Sequence, residues 1–443
     1  QKLKLLVLPI AIQNFMLALV SATDAIMLGW IDQTSLSAVS LAGQVQFVLS
    51  LFISGIAAGA GIMAAQYWGK RDAASIEKVI PIALRTNLLF SGLFTILAGF
   101  CPEMLMRIFT NDAALVASGS QYLRAVALSY VLCGISQVYL ILLKNTGHAA
   151  VSSRISSTAV VLNIILNAIL IYGLCGAPAL GIRGAAYATV AARVVELIWA
   201  YLETKKPERV RILWNRLFSS AGKILSEDFW RYTLPVLAAS LVWGIAYVLY
   251  SVIMGHMGSD AVAANSITSI AKSLLSCLIR GVSGGAGVLI GNLLGANELE
   301  KAREYGGRLS HLSIAIGIVT GGLLMLISPA IVHFAPLSDT AAEYLQYMLL
   351  FCGLNLMAQS VNTTVLDGIF CAGGDAKFDM QGNIGAMWCF SVPLGFLAAF
   401  WLKLPVMVVY CIVNLDEIVK LPAVYHHYKK YIWVRNITRD VED

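Results

Sequence analysis

Apolar stretches of membrane-spanning length recur along the whole chain. A transmembrane helix needs about 20 mostly apolar residues, and such windows repeat throughout the sequence and leave no room for a sizeable soluble domain. Only 13% of the 443 residues are charged, whereas soluble domains carry about 25%. The apolar runs are continuous rather than alternating, which is not the pattern of a membrane barrel. The sequence therefore predicts an all-α polytopic membrane protein.

The apolar windows predict twelve transmembrane helices in two sets of six. The predicted helices cover 5–31, 36–68, 77–100, 121–143, 153–173, 180–202, 229–255, 262–294, 303–330, 343–370, 378–402 and 405–426. The longest polar stretch separates the sixth from the seventh. We therefore expect an N-terminal six-helix lobe at 1–203, a cytoplasmic linker at 204–228, a C-terminal six-helix lobe at 229–428 and a cytoplasmic tail at 429–443.

The two sets of helices repeat each other in sequence. Pro9 and Pro235 both follow a leucine near the start of a helix, and the difference between their residue numbers defines a repeat offset. Five further pairs match at that offset without a gap. They are Gly29 with Gly255, Ser40 with Ser266, Gly55 with Gly281, Gly61 with Gly287 and Gly69 with Gly295. An even number of helices per half predicts parallel, pseudo-symmetric bundles, a plan typical of transporters with a site near the bilayer midplane.

The basic residues indicate topology rather than a binding partner. Lys and Arg recur at every second loop, while the intervening loops carry mostly Asp and Glu. By the positive-inside rule both termini are then cytoplasmic, in a multi-pass protein of the cell membrane. The charges never gather on one polar segment, so no nucleic-acid partner is expected. A monomer is expected because one chain contains both lobes, and since Gln1 is not an initiator methionine we expect the native chain to begin earlier.

An acid lies within the first apolar run, FMLALVSATDAIMLGWI. A charge at membrane depth costs at least ~3 kcal/mol, and such residues usually line a pathway or form a pair. Asp24 lies ~8 Å below Gly29 at 1.5 Å per residue. Asn163 and Asn167 share a face of the fifth predicted helix, and Thr189 of the sixth reaches a similar depth. These four side chains could carry protons or bind a small hard cation such as Na⁺ through oxygen; the alternative is that the amides and hydroxyl only join helices.

The second half has different polar residues at membrane depth. Tyr250 takes the place of Asp24 at the repeat offset. Lys272 and Arg280 lie about two turns apart on the eighth predicted helix, and Asp367 follows on the tenth. This group could bind an anionic part of a substrate, or form a structural salt bridge in which Asp367 neutralises one of the bases. Asp416, Glu417 and Lys420, near the inner end of the last helix, are predicted to be solvated, with Glu417 pairing with Lys420.

Motifs of catalysis are not found in this sequence. It has no Walker A, HExxH, GxSxG or DDxxD pattern, so we predict that the protein is not an enzyme, has no cofactor and takes energy from an ion gradient or a partner. The alternatives from other classes are a membrane-embedded transferase and a channel subunit, and no filter-like repeat favours the latter.

Several segments together resemble one transporter family over essentially the whole chain. They are LP at the start of the first helix, TDAIMLGWI, GAGIMAAQYWGKRD, NIILNAILIYG, GSDAVAANSI and GNLLGANELEKA. In combination they are similar to the multidrug and toxic compound extrusion (MATE) family. The resemblance implies a V-shaped, two-lobe antiporter that exports cationic or amphipathic organic compounds in exchange for H⁺ or Na⁺ by alternating access.

The resemblance also assigns roles to particular positions. The family's first-lobe cation site, transferred by motif, is Asp24, Asn163, Asn167 and Thr189, the set that depth also selects. Some members carry an aspartate where this chain has Asn167, so the site here has one formal charge fewer. The NorM-like branch has a helix-7 glutamate where this chain has Trp243. A lipid or lipid-linked precursor flippase of the same superfamily is the alternative function, because Lys272 and Arg280 would suit an anionic substrate.

Overall fold

The computed structural model describes residues 2–29, 33–207, 209–212, 214–217, 222–335 and 337–439. All the regular structure in these ranges is helical. The α-helices in chain order are α1 (Lys2–Gly29), α2 (Gln33–Gly69), α3 (Ala73–Phe100), α4 (Pro102–Arg107), α5 (Ala113–Leu143), α6 (Ala149–Tyr172), α7 (Ile182–Thr204), α8 (Lys223–Gly255), α9 (Ser259–Gly295), α10 (Leu299–Phe334), α11 (Asp339–Thr363), α12 (Ala376–Asn383), α13 (Val392–Phe396), α14 (Val406–Val413) and α15 (Asp416–Tyr428).

Each of the twelve predicted helices has a counterpart among these elements, which confirms the all-α membrane fold. Within the described ranges, nine continuous helical segments are long and apolar enough to span a membrane. One of the nine contains both α5 and α6, because the π-helical stretch Lys144–His148 joins them. Gly147 has a φ of +82° there, a left-handed conformation that glycine adopts without strain.

The repeat seen in the sequence is also present in the helix packing. Helices α2 and α9 each contain 37 residues, and their ends at Gly69 and Gly295 are one repeat apart. A Cβ atom at Gly55 would lie 2.9 Å from Leu237 Cα, and one at Gly281 would lie 2.9 Å from Ala11 Cα. Ala11 and Leu237 are themselves one repeat apart, so both close approaches occur in one register.

The chain forms two compact units whose boundaries differ from the predicted lobes. The N-terminal unit is Phe15–Leu237, and the C-terminal unit is Ala238–Arg439 together with the chain up to Asn14. The start of α1 therefore packs with the C-terminal unit, and the first half of α8 packs with the N-terminal unit. The glycine contacts on α2 and α9 provide the physical reason, because each allows the exchanged segment to lie directly against its helix.

The last helices of the C-terminal unit are irregular. Helix α11 continues into a π-helical stretch, Thr364–Phe370. The eleventh predicted span contains two more, Ile384–Ser391 and Leu397–Trp401. The last predicted helix, 405–426, is broken between α14 and α15 at Asn414. Such departures from the α-helix are frequent at functional sites.

The segment predicted as a cytoplasmic tail is packed against the C-terminal unit as far as residue 439. Trp433 is fully buried, and a Cβ atom at Gly306 would lie 2.5 Å from its ring. Arg435 Nε donates to Gly373 O at 2.8 Å, and its Nη2 donates to Gly374 O at 2.8 Å. This segment thereby joins α10 to the loop before α12; residues 440–443 lie outside the described part of the chain.

Candidate functional site

Close packing of α6 on α7 places the polar residues of the N-terminal unit. A Cβ atom at Gly184 of α7 would lie 2.4 Å from Leu170 O of α6, so only glycine permits this approach. Helix α6 ends at Tyr172, and the next residue, Gly173, has a left-handed φ of +74° and caps the helix by donating its backbone N–H to Ile169 O. The connection is short, and it brings Thr189 of α7 alongside Asn163 of α6.

The four residues predicted as the cation site form one continuous chain of hydrogen bonds. Asn167 Nδ2 donates to Asp24 Oδ1 at 2.5 Å and to Asn163 Oδ1 at 3.2 Å. Asn163 Nδ2 then donates to Thr189 Oγ1 at 3.3 Å. The Thr189 hydroxyl donates to Ala185 O at 3.0 Å. Side chains from α1, α6 and α7 thus converge on one acid, and both amide nitrogens donate along the chain.

The environment of Asp24 is short of positive charge. Asn167 is 0% exposed, and Asp24 is partly buried. Among the side chains that the structure describes, Asp24 has no Lys, Arg or His within ion-pairing distance, and its carboxylate accepts from the Asn167 amide. An amide donor stabilises a carboxylate less than a cation does. A proton or a small cation would therefore supply the missing charge.

The atoms of this site that could coordinate an ion are oxygen atoms. Asn167 Oδ1 is buried and accepts no hydrogen bond within the described structure. The Asp24 carboxylate, the Asn163 carbonyl and the Thr189 hydroxyl complete a set of oxygen donors. Hard monovalent and divalent cations prefer such ligands, so these residues can hold either Na⁺ or a proton on Asp24.

The predicted substrate residues of the C-terminal unit are not paired with one another. Lys272 Nζ donates to Asn355 Oδ1 at 3.0 Å. Arg280 and Asp367 both have exposed side chains, and neither forms an ion pair within the described ranges. Among the described side chains, no salt bridge therefore joins Asp367 to Lys272 or Arg280.

The prediction that the acids and lysine of the last helix are solvated is wrong. Asp416 and Lys420 are each 5% exposed, and Glu417 is largely buried. The predicted pair is present, because Lys420 Nζ lies 3.2 Å from Glu417 Oε1. The break at Asn414 and the packing of α15 against α11 remove these groups from water, which a helical pattern read as continuous does not reveal.

Three polar partners of this buried group were missed by the sequence analysis. Asn362 of α11 and Asp379 and Asn383 of α12 all contact it or contact each other. A signal was available for the last two, because residues four apart on a helix share a face. Nothing in the sequence indicated that α12 and α15 meet.

A comparison with known protein families identifies the chain. The MatE family model matches it twice, over residues 9–169 and again over 235–397. The chain belongs to the MatE family. The two matches start at residues 9 and 235, and these starting positions are separated by the same offset as the glycine pairs. The matches to the MatE model thus agree with the repeat in the helices, and the family consists of transporters.

Two bacterial proteins are similar to this chain over most of its length. An uncharacterized transporter of Bacillus subtilis, YisQ, is 21% identical and aligns over 96% of this MatE chain and 93% of its own. A probable multidrug resistance protein NorM of Thermotoga maritima is 23% identical, with 90% and 85% of the two chains covered.

Solved structures share the fold of this MatE protein. A MOP superfamily transporter from Pyrococcus furiosus matches with a TM-score of 0.87 at 20% identity, over 97% of this chain and 95% of that one. It is described as having a binding pocket of reverse polarity that suggests a different function. An outward-facing multidrug resistance MATE transporter matches with a TM-score of 0.84 at 19% identity, over 98% and 95%. At these identities the likeness concerns the fold alone.

Proposed function

We propose that this protein is a secondary antiporter that exports organic compounds, cationic or amphipathic, in exchange for H⁺ or Na⁺. Asp24, Asn163, Asn167 and Thr189 would bind the coupling ion. The observation that carries the proposal is the hydrogen-bond chain that ends on Asp24, a carboxylate with an amide partner and no basic one within the described side chains. An acid so placed gains most from binding a positive ion.

The same geometry suggests how the ion would change the protein. With Asp24 ionised, Asn167 Nδ2 donates to a charged acceptor, and such bonds are roughly twice as strong as neutral ones. A proton or Na⁺ on Asp24 would weaken that bond and free the amide to turn. The N-terminal unit would then have two arrangements with different ion affinity. Alternating access requires such a difference, because an ion shifts an equilibrium only by its differential affinity for the two states.

A reconstitution experiment tests the proposal. Purified protein in liposomes is given a proton gradient and, separately, a sodium gradient, and the movement of a fluorescent organic cation is followed. Asp24→Asn should abolish gradient-driven movement, because an amide takes up no proton near neutral pH and lacks the negative charge that would hold Na⁺. Asp112→Asn is the matched control, since Asp112 is an exposed N-cap and asparagine also caps a helix. Transport that follows neither gradient, with Asp24→Asn equal to wild type, would refute the antiporter.

A second candidate function is supported by the unpaired bases of the C-terminal unit. Lys272 contacts an amide oxygen rather than a carboxylate, and Arg280 is exposed at membrane depth. Bases at this depth rarely face lipid. We propose that they line the substrate cavity with Asp367. A lipid or lipid-linked precursor with a phosphate would then be the substrate of a flippase, and a likeness of pocket polarity to the Pyrococcus furiosus transporter would follow.

The antiporter and flippase candidates predict different effects of a Lys272 mutation on the transport of an anionic lipid and of an organic cation. Lys272→Gln should slow the movement of a fluorescent anionic lipid several-fold and leave an organic cation unaffected if the flippase candidate is correct. Lys301→Gln is the control, because Lys301 is an exposed base paired with Glu298 at a helix start. An anionic lipid that does not move at all, with an organic cation that does, would eliminate the flippase candidate.

Membrane orientation can be tested with the native cysteines. We propose a multi-pass cell-membrane protein with both termini in the cytoplasm, which would place Cys101 and Cys175 in outer loops. Both are exposed. A membrane-impermeant maleimide should label intact cells, and replacing both cysteines by serine should remove that labelling. Labelling of these two residues only after permeabilisation would reverse the assigned orientation.

A further inference from the structure

A buried ionic cluster lies in the C-terminal unit, far in sequence from Asp24. At its centre Lys420 Nζ lies 3.2 Å from Glu417 Oε1, 3.5 Å from Asp416 Oδ2 and 3.1 Å from Asn383 Oδ1. An ammonium group has three N–H donors, so these three oxygens use all of them. We call Lys420, Glu417, Asp416, Asn383 and Asp379 the Lys420 cluster.

Asp379 is the member that has no cation of its own. Asn383 Nδ2 donates to Asp379 Oδ1 at 3.1 Å, and Asp379 is 7% exposed. Within the described ranges Asp379 forms no ion pair, because the donors of Lys420 are directed to other oxygens. Three buried carboxylates thus share one ammonium group, an imbalance that is costly in a low-dielectric interior.

An unsatisfied acceptor beside the cluster points to a further positive or hydrogen-donating ligand. Asn362 Nδ2 donates to Glu417 Oε2 at 2.8 Å and to Glu417 O at 2.7 Å. Asn362 is 2% exposed, and its Oδ1 accepts no hydrogen bond in the described structure. The nearby Thr364 Oγ1 is likewise buried without a partner there. Buried acceptors without donors are uncommon in folded proteins.

The backbone at the cluster is also typical of an ion site. Asn355 Nδ2 donates to Asn414 O at 2.6 Å, at the break between α14 and α15. Asp416 and Glu417 form the first turn of α15, where the free N–H groups of a helix favour acids. Interrupted helices with such termini surround the ion sites of many transporters.

The other charged groups around the cluster do not restore neutrality. Asp367 of the π-helical stretch interacts electrostatically with Asp379 and Lys420. Of the two bases of α9, Arg280 interacts with Asp367 and Lys272 interacts with Asp416. Counting all of them, four acids face three bases. The ammonium group of Lys420 already occupies the position among the oxygens that a metal cation would need. A proton is therefore the ion that fits.

We propose that the Lys420 cluster is a second proton site, in which Asp379 takes up one proton at a carboxylate oxygen. The step forms one O–H bond and breaks none in the protein, and the proton comes from water. Lys420 and Asn383 are positioning residues that hold the acceptor in place. The proposal goes beyond the Asp24 site and does not depend on the direction or substrate of transport.

Infrared difference spectroscopy on purified protein tests this directly. The absorbance of protonated carboxyl groups is recorded as the pH is lowered, for wild type, Asp379→Asn, Asp24→Asn and the exposed control Asp339→Asn. Asp379→Asn should lose the signal of about one buried carboxyl group, and Asp24→Asn should lose a different one. Asp339→Asn should lose neither. The asparagine at 379 can still accept from Asn383, so the fold should persist.

Thermal unfolding separates the proton site from a purely structural cluster. If Asp379→Asn lowers the melting temperature but leaves the buried carboxyl signal unchanged, Asp379 stays ionised and the proposal is overturned. If the signal disappears in Asp379→Asn while transport by wild type fails in liposomes, the proton site stands and the antiporter does not. If Asp24→Asn also removes the Asp379 signal, the two sites are not independent, and the proposal of a second site is overturned.

Discussion

The two compact units both place buried carboxylates against asparagine amides, but they balance the charge differently. In the N-terminal unit Asp24 has the Asn167 amide and no described basic partner. In the C-terminal unit Lys420 lies among three carboxylates. Removing the nearest base should therefore damage the Lys420 cluster, whereas the Asp24 site has no such base to lose. A repeated backbone therefore does not require repeated chemistry, since the helix contacts recur at one offset and the charges do not.

The largest expected effect comes from removing the single base of the Lys420 cluster. Lys420→Met leaves three buried carboxylates without their cation, and breaking a buried pair in this way costs about 3–5 kcal/mol. We expect a large fall in melting temperature at neutral pH. The difference in melting temperature between Lys420→Met and wild type should shrink as the pH falls, because protonated carboxyl groups are neutral and require no cation.

Thermal unfolding across a pH series, with Lys403→Met as an exposed control, measures this effect. A Lys420→Met variant as stable as wild type at neutral pH would show that the carboxylates are already protonated there. The contrast between the units would then disappear.

A smaller effect is expected from the glycines that accept the exchanged helix segments. A Cβ atom at Gly59 would lie 2.6 Å from Thr233 Cα, whereas one at Gly285 would lie 2.8 Å from Val7 Cγ2. A backbone atom cannot move aside as a side-chain methyl can. Gly59→Ala should therefore destabilise the protein by about 1–3 kcal/mol, and Gly285→Ala by less.

Melting temperatures of the two alanine variants give the comparison. Gly43→Ala is the control, because no atom lies within 4 Å of a Cβ atom there. Equal decreases in melting temperature for Gly59→Ala and Gly285→Ala would show that the two units accommodate an added methyl group at these contacts equally well.

The smallest effect is expected from two matched threonines. The Thr189 hydroxyl accepts from Asn163 and donates to Ala185 O, whereas the buried Thr268 hydroxyl donates to Ala264 O of its own helix. Valine keeps the shape and removes the hydroxyl. Thr189→Val should weaken the binding free energy of the coupling ion by about 1 kcal/mol. This loss raises the ion concentration for half-maximal transport roughly five-fold.

Thr268→Val should change the same concentration little, because its hydroxyl bonds to helix backbone and lies outside the Asp24 site. The measurement is transport rate against ion concentration in liposomes. Similar shifts for the two variants would argue that helix bending, and not ligation, is the role of Thr189.

Much of the Asp24 site was predictable, because its depth follows from helix rise. Asp24, Asn163, Asn167 and Thr189 each lie a countable number of residues from a helix end, and helices of fixed rise bring equal depths together. The C-terminal unit was less predictable, because its polar residues lie where the α-helix is interrupted. Asp367 was a possible partner of Lys272 or Arg280, but Lys272 contacts Asn355 instead. Counting residues cannot foresee which face a broken or π-helical turn presents.

The helices, the constant offset between the two halves and the set of residues around Asp24 were all predictable from the amino-acid sequence. These features follow from apolar length and regular rise, which act locally along the chain. The helix packing shows in addition that the starts of α1 and α8 exchange units. It also shows that Asp416 and Lys420 are buried and that Glu417 is largely buried. Those outcomes depend on which helix surfaces fit closely together, and that fit is set by glycine positions and helix breaks acting between distant segments.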